Sequence, residues 1–311
     1  MNKIISTSLL LTFLFLIGCK DTTTKEVATT LDVKHAIYIS NTAHAKTLMS
    51  RSTESFISLW GLGDAPGVSG EFTDDAVRVI SNSLAPIVGG EAIKNSFVET
   101  FAEGSNFKNS HIIVGTTETR LLSDEILIGA GTFKILDANN ETLESGKWGN
   151  VYRYKDGKVK FLLESAHRIF NETDTLSSEV ISLEESIVSK EAHFDKIQAS
   201  VADYIKYANE NDAEGLSMLF TENAIQNVSS KEGIVVGRDK IKATEVFADG
   251  MVLDANILGY TYLGDSLAVG YGNWTQLDIT TNTMVKGQWG NVFKIDGDTA
   301  YLVMESAGIS K

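Results

Sequence analysis

The sequence predicts an α+β protein written as two similar halves, and three observations carry this. The block Gly146-Lys147-Trp148-Gly149-Asn150-Val151-Tyr152-Arg153 returns as Gly287-Gln288-Trp289-Gly290-Asn291-Val292-Phe293-Lys294. Each block is followed by a charged turn, an apolar run and Glu-Ser-Ala, and Trp148 to Trp289 and Glu164 to Glu305 both span 141 positions. Within each half, apolar residues at helical spacing come first, and long β-branched and aromatic runs come after. A length of 311 residues is that expected of two domains.

The first residues read as a targeting segment. Lys3 precedes an apolar run from Ile4 to Ile17, too short for a comfortable membrane span, and the run ends Leu16-Ile17-Gly18-Cys19. That ending resembles the lipobox of bacterial lipoproteins, in which the Cys is lipidated and the chain is cut before it. Residues 1–18 are therefore expected to be a lipoprotein signal peptide and Cys19 a lipid attachment point in the membrane. This implies a bacterial envelope protein, expected at the outer membrane, with neither the periplasmic nor the surface face selected. Cys19 is the sole cysteine, so disulfides and thiolate chemistry are excluded. Residues 19–44, rich in Thr, Lys and small side chains, read as a flexible tether.

The first domain is expected over 45–170. Arg51–Trp60 is its first helix, and Asp64-Ala65-Pro66 opens a second, with Pro where its missing N–H costs nothing. Phe72-Thr73-Asp74-Asp75-Ala76 enters a strand, and Gly89 precedes a third helix. Residues 171–190 read as a linker, although Val180, Ile181, Leu183 and Ile187 stand near helical spacing and predict that part of it docks as a helix.

The second domain, 191–311, repeats the order. Phe194, Ile197, Val201, Tyr204, Ile205 and Ala208 make a helical stripe. Asp212 caps a short helix to Phe220, and Ala224–Val228 is a strand. Lys240–Ala248 is the third helix, and four long runs follow from about Val252 to Ile309. Phe72 and Gly89 lie 148 positions before Phe220 and Gly237, so the second copy is shorter by 7 residues between its third helix and its second long strand.

Helix, capping Asp, short helix, Phe-Thr-x-x-Ala, Gly, helix and a long sheet, met twice, resemble the nuclear transport factor 2-like superfamily in its SnoaL-like and ketosteroid-isomerase-like branches. The resemblance implies two cone-shaped domains, each a strongly curved, mainly antiparallel sheet wrapped around about three N-terminal helices. It also implies a pocket inside each cone, and an outer sheet face that could pair the two copies as an intramolecular pseudo-dimer. Curved strands need glycine, which Gly129, Gly131, Gly149, Gly270, Gly272 and Gly290 supply.

The ketosteroid-isomerase-like branch uses a Tyr and a protonated Asp as oxyanion donors and a second Asp as base. The resemblance places the Tyr position on Tyr204 and Phe56, the oxyanion Asp on Asn291 and Asn150, and the base on Val228 and Ile80. Neither half keeps the base. The reading this favours is a non-catalytic, envelope-anchored module that binds a small apolar or amphipathic ligand or a protein partner. Trp148, Asn150, Glu164, Trp274 and Trp289 are its candidate ligand contacts. The alternative is a cofactor-free isomerase, lyase or cyclase sited in the second domain, with Tyr204, Asn291 and Glu305 as acid, oxyanion donor and base. It requires that Glu305 point inward rather than face water or pair with Lys294; Glu164 and Arg153 pose the same choice.

Three further choices stay open. The Trp residues either stack a ligand or pack the sheet. Asn150 and Asn291 either hold a carbonyl or satisfy a bulge. His111 and His167 either share the first cone or are structural. With five His residues, no paired metal-ligand spacing, no phosphate loop and no nucleophile elbow, no metal or cofactor is expected. The net charge of −14, which becomes −15 once residues 1–18 with their single Lys are removed, argues against nucleic acid as a partner.

Overall fold

The computed structural model describes residues 30–170, 183–245 and 249–310, with side chains in the first helix from residue 42 onward. Cys19 and the expected signal peptide lie outside the described residues.

The first half runs α1 (Thr30–Gly61), α2 (Ala65–Gly70), β1 (Phe72–Ile80), β2 (Ile87–Val88), α3 (Gly90–Thr100), β3 (His111–Leu121), β4 (Ile126–Leu136), β5 (Thr142–Lys155) and β6 (Lys158–Arg168). The second half runs α4 (Phe194–Asn209), α5 (Ala213–Met218), β7 (Phe220–Val228), β8 (Val235–Val236), α6 (Arg238–Thr244), β9 (Met251–Ala255), β10 (Gly259–Gly264), β11 (Leu267–Asp278), β12 (Thr283–Asp296) and β13 (Thr299–Ile309). The result is a mixed α+β chain with one six-stranded and one seven-stranded sheet, ordered β2-β1-β6-β5-β4-β3 and β10-β11-β12-β13-β7-β8, with β9 also pairing β11. In each sheet one pair is parallel, β1 with β6 and β7 with β13; the others are antiparallel.

Local chemistry sets the boundaries. Asp64 and Asp212 each accept from an N–H in the first turn of the helix that follows, Gly67 at 2.9 Å and Gly215 at 2.8 Å. In α1 the buried residues Ala45, Leu48, Met49, Ser52, Phe56 and Trp60 form one stripe toward the first core. The Gly-x-Gly pairs leave room for indoles. A Cβ on Gly131 would lie 2.8 Å from the Trp148 ring, and one on Gly272 would lie 3.0 Å from that of Trp289.

Several expected elements are corrected. α1 begins at Thr30, not Arg51, so residues 30–44 continue a helix through part of the expected tether; no Gly or Pro interrupts the stretch from Thr30 to Trp60. β7 starts at Phe220 and takes the end of the short helix, because Phe220 pairs with Leu302. α6 starts at Arg238, behind Gly237 at a φ of 99°. Among the described residues five strands, not four, follow α6. The outer strand breaks at Asn256–Leu258, where the Ile257 carbonyl turns away to accept the N–H of Ile187 at 2.8 Å. That bond also corrects the docked helix: 183–190 contains no helix and lies along Ile257, with Ile187 against the second core, while Val180 and Ile181 fall outside the described residues.

Each half has its own apolar core, and a third apolar cluster joins the sheets. Val77, Val79, Ile128, Val151 and Leu163 of the first sheet pack with Ile225, Val269, Val292, Val303 and Met304 of the second. Near its middle, Ser165 Oγ donates to the Ser306 carbonyl at 3.4 Å and Ser306 Oγ donates to the Ser165 carbonyl at 3.5 Å. Side chains alternate across a strand, so this contact fixes what the next residues do. Leu163 and Ser165 face the other sheet and Glu164 faces inward; Met304 and Ser306 face the other sheet and Glu305 faces inward.

Candidate functional site

Each sheet and its helices enclose a cavity, about 380 Å³ in the first half and about 250 Å³ in the second. In the second, α4 presents Val201, Tyr204, Ile205 and Ala208 to the interior, and β11–β13 supply Trp274, Trp289, Asn291, Phe293 and Glu305.

Glu305 is 5% exposed and both its oxygens are engaged. Tyr204 Oη donates to Oε1 at 2.8 Å, and Gln226 Nε2 donates to Oε2 at 2.8 Å. The network continues outward: Gln226 Nε2 also reaches Glu245 Oε1 at 2.6 Å, and Lys231 Nζ donates to Gln226 Oε1 at 2.7 Å and to Glu245 Oε1 at 2.6 Å. Lys231 therefore neutralises Glu245, and among the described residues no cation forms an ion pair with Glu305. Burial, then the charge of Glu245, raise the Glu305 pKa above the ordinary carboxyl value; the Gln226 bond, Lys231 and the Tyr204 bond oppose the rise. Tyr204 is pushed well above its ordinary value, first by burial and then by the charges of Glu305 and Glu245, so it stays a donor.

Asn291 does two things at once. Its Oδ1 accepts the Ser306 N–H at 3.0 Å, where the β12–β13 ladder skips from Trp289–Ala307 to Val292–Met304. Its side chain also lines the cavity. The indoles are likewise fixed yet exposed to the cavity: Trp289 Nε1 donates to Asn256 O at 3.1 Å and Trp274 Nε1 to Gln288 O at 3.2 Å.

The first cavity has the same frame and different chemistry. Arg78 stands where the second half has Gln226; its Nε meets Glu164 Oε2 at 2.5 Å and its Nη1 donates to Ser96 Oγ at 2.7 Å. The guanidinium also lies 4.0 Å from the centroid of Phe97. Phe56 replaces Tyr204. A tyrosine returns from the sheet, where Tyr152 replaces Phe293 and its hydroxyl accepts from Asn150 Nδ2 at 3.2 Å. Burial, against the Asn150 bond, holds the Tyr152 pKa above its ordinary value. Asn150 Oδ1 accepts the Ser165 N–H at 3.0 Å, and Trp148 Nε1 donates to Thr132 O at 3.2 Å.

The two glutamates thus point inward rather than pairing with Arg153 or Lys294. Trp148, Asn150 and Glu164 meet in the first cavity, and Tyr204, Trp274, Trp289, Asn291 and Glu305 in the second. Ile80 and Val228, the positions without a base, also line the cavities. His167 does not join the first: it is fully buried on the other face of β6, where its Nε2 lies 2.9 Å from Ser165 Oγ and its ring fills the space beside Gly308. His111 is part-exposed on β3 and does not line that cavity. Sequence reasoning missed Gln226, Lys231, Glu245, Arg78 and Tyr152. One signal was available: the residue six places after Phe72 and Phe220 is polar in both strands, and in the first it interrupts an apolar run. Among the described residues no cluster of three His, Cys, Asp or Glu could hold a metal, and no helix is long and apolar enough to cross a membrane.

No family model matches the chain, and no curated protein matches it. Solved structures do. An NTF-2-like protein of unknown function from Shewanella oneidensis aligns at TM-score 0.35 and 9% identity, over 39% of this chain and 98% of that one. A ketosteroid isomerase-like protein from Erwinia carotovora atroseptica aligns at 0.34 and 12%, over 40% and 96%. A domain of unknown function with a cystatin-like fold from Nostoc punctiforme aligns at 0.37 and 12%, over 42% and 80%.

Proposed function

We propose that the chain is a tandem of two cups paired through their sheets, and that the second is a cofactor-free acid–base site of the isomerase, lyase or cyclase kind. This places the catalytic alternative ahead of the purely binding one. The observation that carries it is the Tyr204–Glu305 hydrogen bond of 2.8 Å inside a largely apolar cavity, around a carboxyl whose pKa is raised. A carboxyl of raised pKa can take a proton from a bound molecule and return it. On binding, Tyr204 would turn its single O–H from Glu305 to an oxygen that gains charge, with the Asn291 amide as the second donor. The indoles and Phe293 favour a small, mainly apolar molecule carrying one carbonyl or hydroxyl. The first cup reads as a holding site, because Arg78 forms an ion pair with Glu164 at 2.5 Å, whereas no such pair engages Glu305 among the described residues.

The test is deuterium wash-in from D2O into a panel of small cyclic ketones, followed by NMR. The protein should exchange the protons beside the carbonyl. Glu305→Gln should abolish the exchange, and Tyr204→Phe should slow it by about 10²-fold or more. Exchange that survives Glu305→Gln, or no exchange by the wild type across the panel, removes the acid–base reading and leaves the binding one.

We further propose attachment to the envelope through lipidated Cys19. Radiolabelled palmitate fed to expressing cells should enter the wild type and not Cys19→Ser. Equal labelling of both, or of neither, argues against the anchor.

A further inference from the structure

The two halves meet through more than apolar packing, and one contact runs from the first half to the rim of the second cavity. Lys147 on β5 is 2% exposed. Its Nζ donates to three backbone carbonyls of the other half: Val228 at 2.9 Å, Gly233 at 2.5 Å, and Lys231. These carbonyls belong to the 229–234 loop and its entry from β7. The side chain of Lys231, on that loop, neutralises Glu245 and holds Gln226. The position 141 residues on behaves reciprocally: Gln288 Nε2 donates to the carbonyl of Ser83 at 2.7 Å, in the matching loop at the first cavity, but with one bond instead of three.

We propose that Lys147 is a positioning residue for the second cavity: from the first half it clamps the 229–234 loop and so holds Lys231 against Gln226 and Glu245. The second site is then incomplete without the first half, and the duplication is part of the site's construction. The inference rests on reading the second cavity as the working site, but its test needs no turnover. The groups bearing on the ammonium are Lys231, whose charge opposes it, His167 directly across the ladder on β6, and Glu232 within the loop.

The experiment compares wild type, Lys147→Met and Lys147→Gln in the full chain, with folding checked by near-ultraviolet circular dichroism. Two quantities are read. The first is the rate at which sulfosuccinimidyl acetate modifies Lys231, by peptide mass spectrometry. The second is the Glu305 titration midpoint, by NMR of δ-carbon-labelled glutamate, assigned through Glu305→Gln. Released from its clamp, Lys231 should react on the order of tenfold faster in Lys147→Met. The Glu305 midpoint should rise by about 1 pH unit, as for a carboxyl losing a nearby opposite charge. Lys147→Gln keeps one donor, as Gln288 does, and should fall between; it carries the test if the Met variant does not fold. Unchanged Lys231 reactivity and an unchanged midpoint in a folded variant overturn the proposal. A shifted midpoint in a protein that never exchanges ketone protons leaves the clamp standing and removes the acid–base reading alone.

Discussion

At the scale of single residues, the difference in charge beside the two inward glutamates comes from one aligned position, Arg78 against Gln226. Both side chains donate to an inward glutamate, Arg78 to Glu164 at 2.5 Å and Gln226 to Glu305 at 2.8 Å. The guanidinium brings a full positive charge and the amide brings none. Gln226→Arg should therefore convert the second site to the character of the first. The Glu305 midpoint should fall by about 1–3 units, and any proton exchange should fall with it. An unchanged midpoint in NMR titration would show that burial alone sets the carboxyl. The reverse change, Arg78→Gln, leaves Glu164 buried beside Tyr152 without its partner. Removing one member of a buried pair costs about 3–5 kcal/mol, which urea unfolding would read directly. A loss below about 1 kcal/mol would mean that the pair adds little net stability.

At the scale of elements, much of the order was legible because it rests on local chemistry. The helix caps followed from Asp64 and Asp212, and the repeated block announced β5 and β12. The direction of Glu164 and Glu305 was not legible. Period-2 alternation orients a strand only when one face is polar, and β6 and β13 are buried on both faces, one against a cavity and one against the other sheet. Lys231 and Glu245 were hidden for another reason: they reach the site from a loop and a helix end, and no spacing rule ties them to Glu305. The glycines were read as sites of curvature, and the structure adds a steric role. A Cβ on Gly131 would run into the Gly115 carbonyl and the Trp148 ring. Gly131→Ala should thus destabilise the protein by about 1–3 kcal/mol and lower its thermal midpoint. Gly70→Ala, whose Cβ meets nothing within 4 Å, is the control that should not. Equal effects would assign the cost to backbone freedom instead of the indole.

At the scale of the whole molecule, the seam between the sheets also departs from the repeat. His167 is fully buried there, and its counterpart 141 positions on is Gly308, whose missing side chain makes room for the imidazole. Among the described residues His167 Nδ1 has no hydrogen-bond partner, and burial lowers the pKa from 6.5 to about 3. A histidine with a depressed folded pKa contributes stability that is present above its unfolded value and is lost as the pH falls toward the folded one. The window is therefore from 6.5 down to about 3, at a slope of about 1.4 kcal/mol per pH unit. Glu305 works in the opposite sense: its folded pKa is raised, so its contribution is fully present below the unfolded value and is lost as the pH rises through the folded one. The two effects partly cancel in the wild type, and Glu305→Gln removes one of them. On that background, urea unfolding at pH 7.5 and pH 4.5 should show His167→Gln losing about 2–3 kcal/mol less than its parent, because the Gln has no proton to gain. Equal losses would mean that the seam opens, or admits water, before His167 is forced to charge. In that case His167 would add nothing to a seam held by Leu163, Val292, Met304 and their neighbours and by the Lys147 and Gln288 bonds, with the Ser165–Ser306 pair as a register mark.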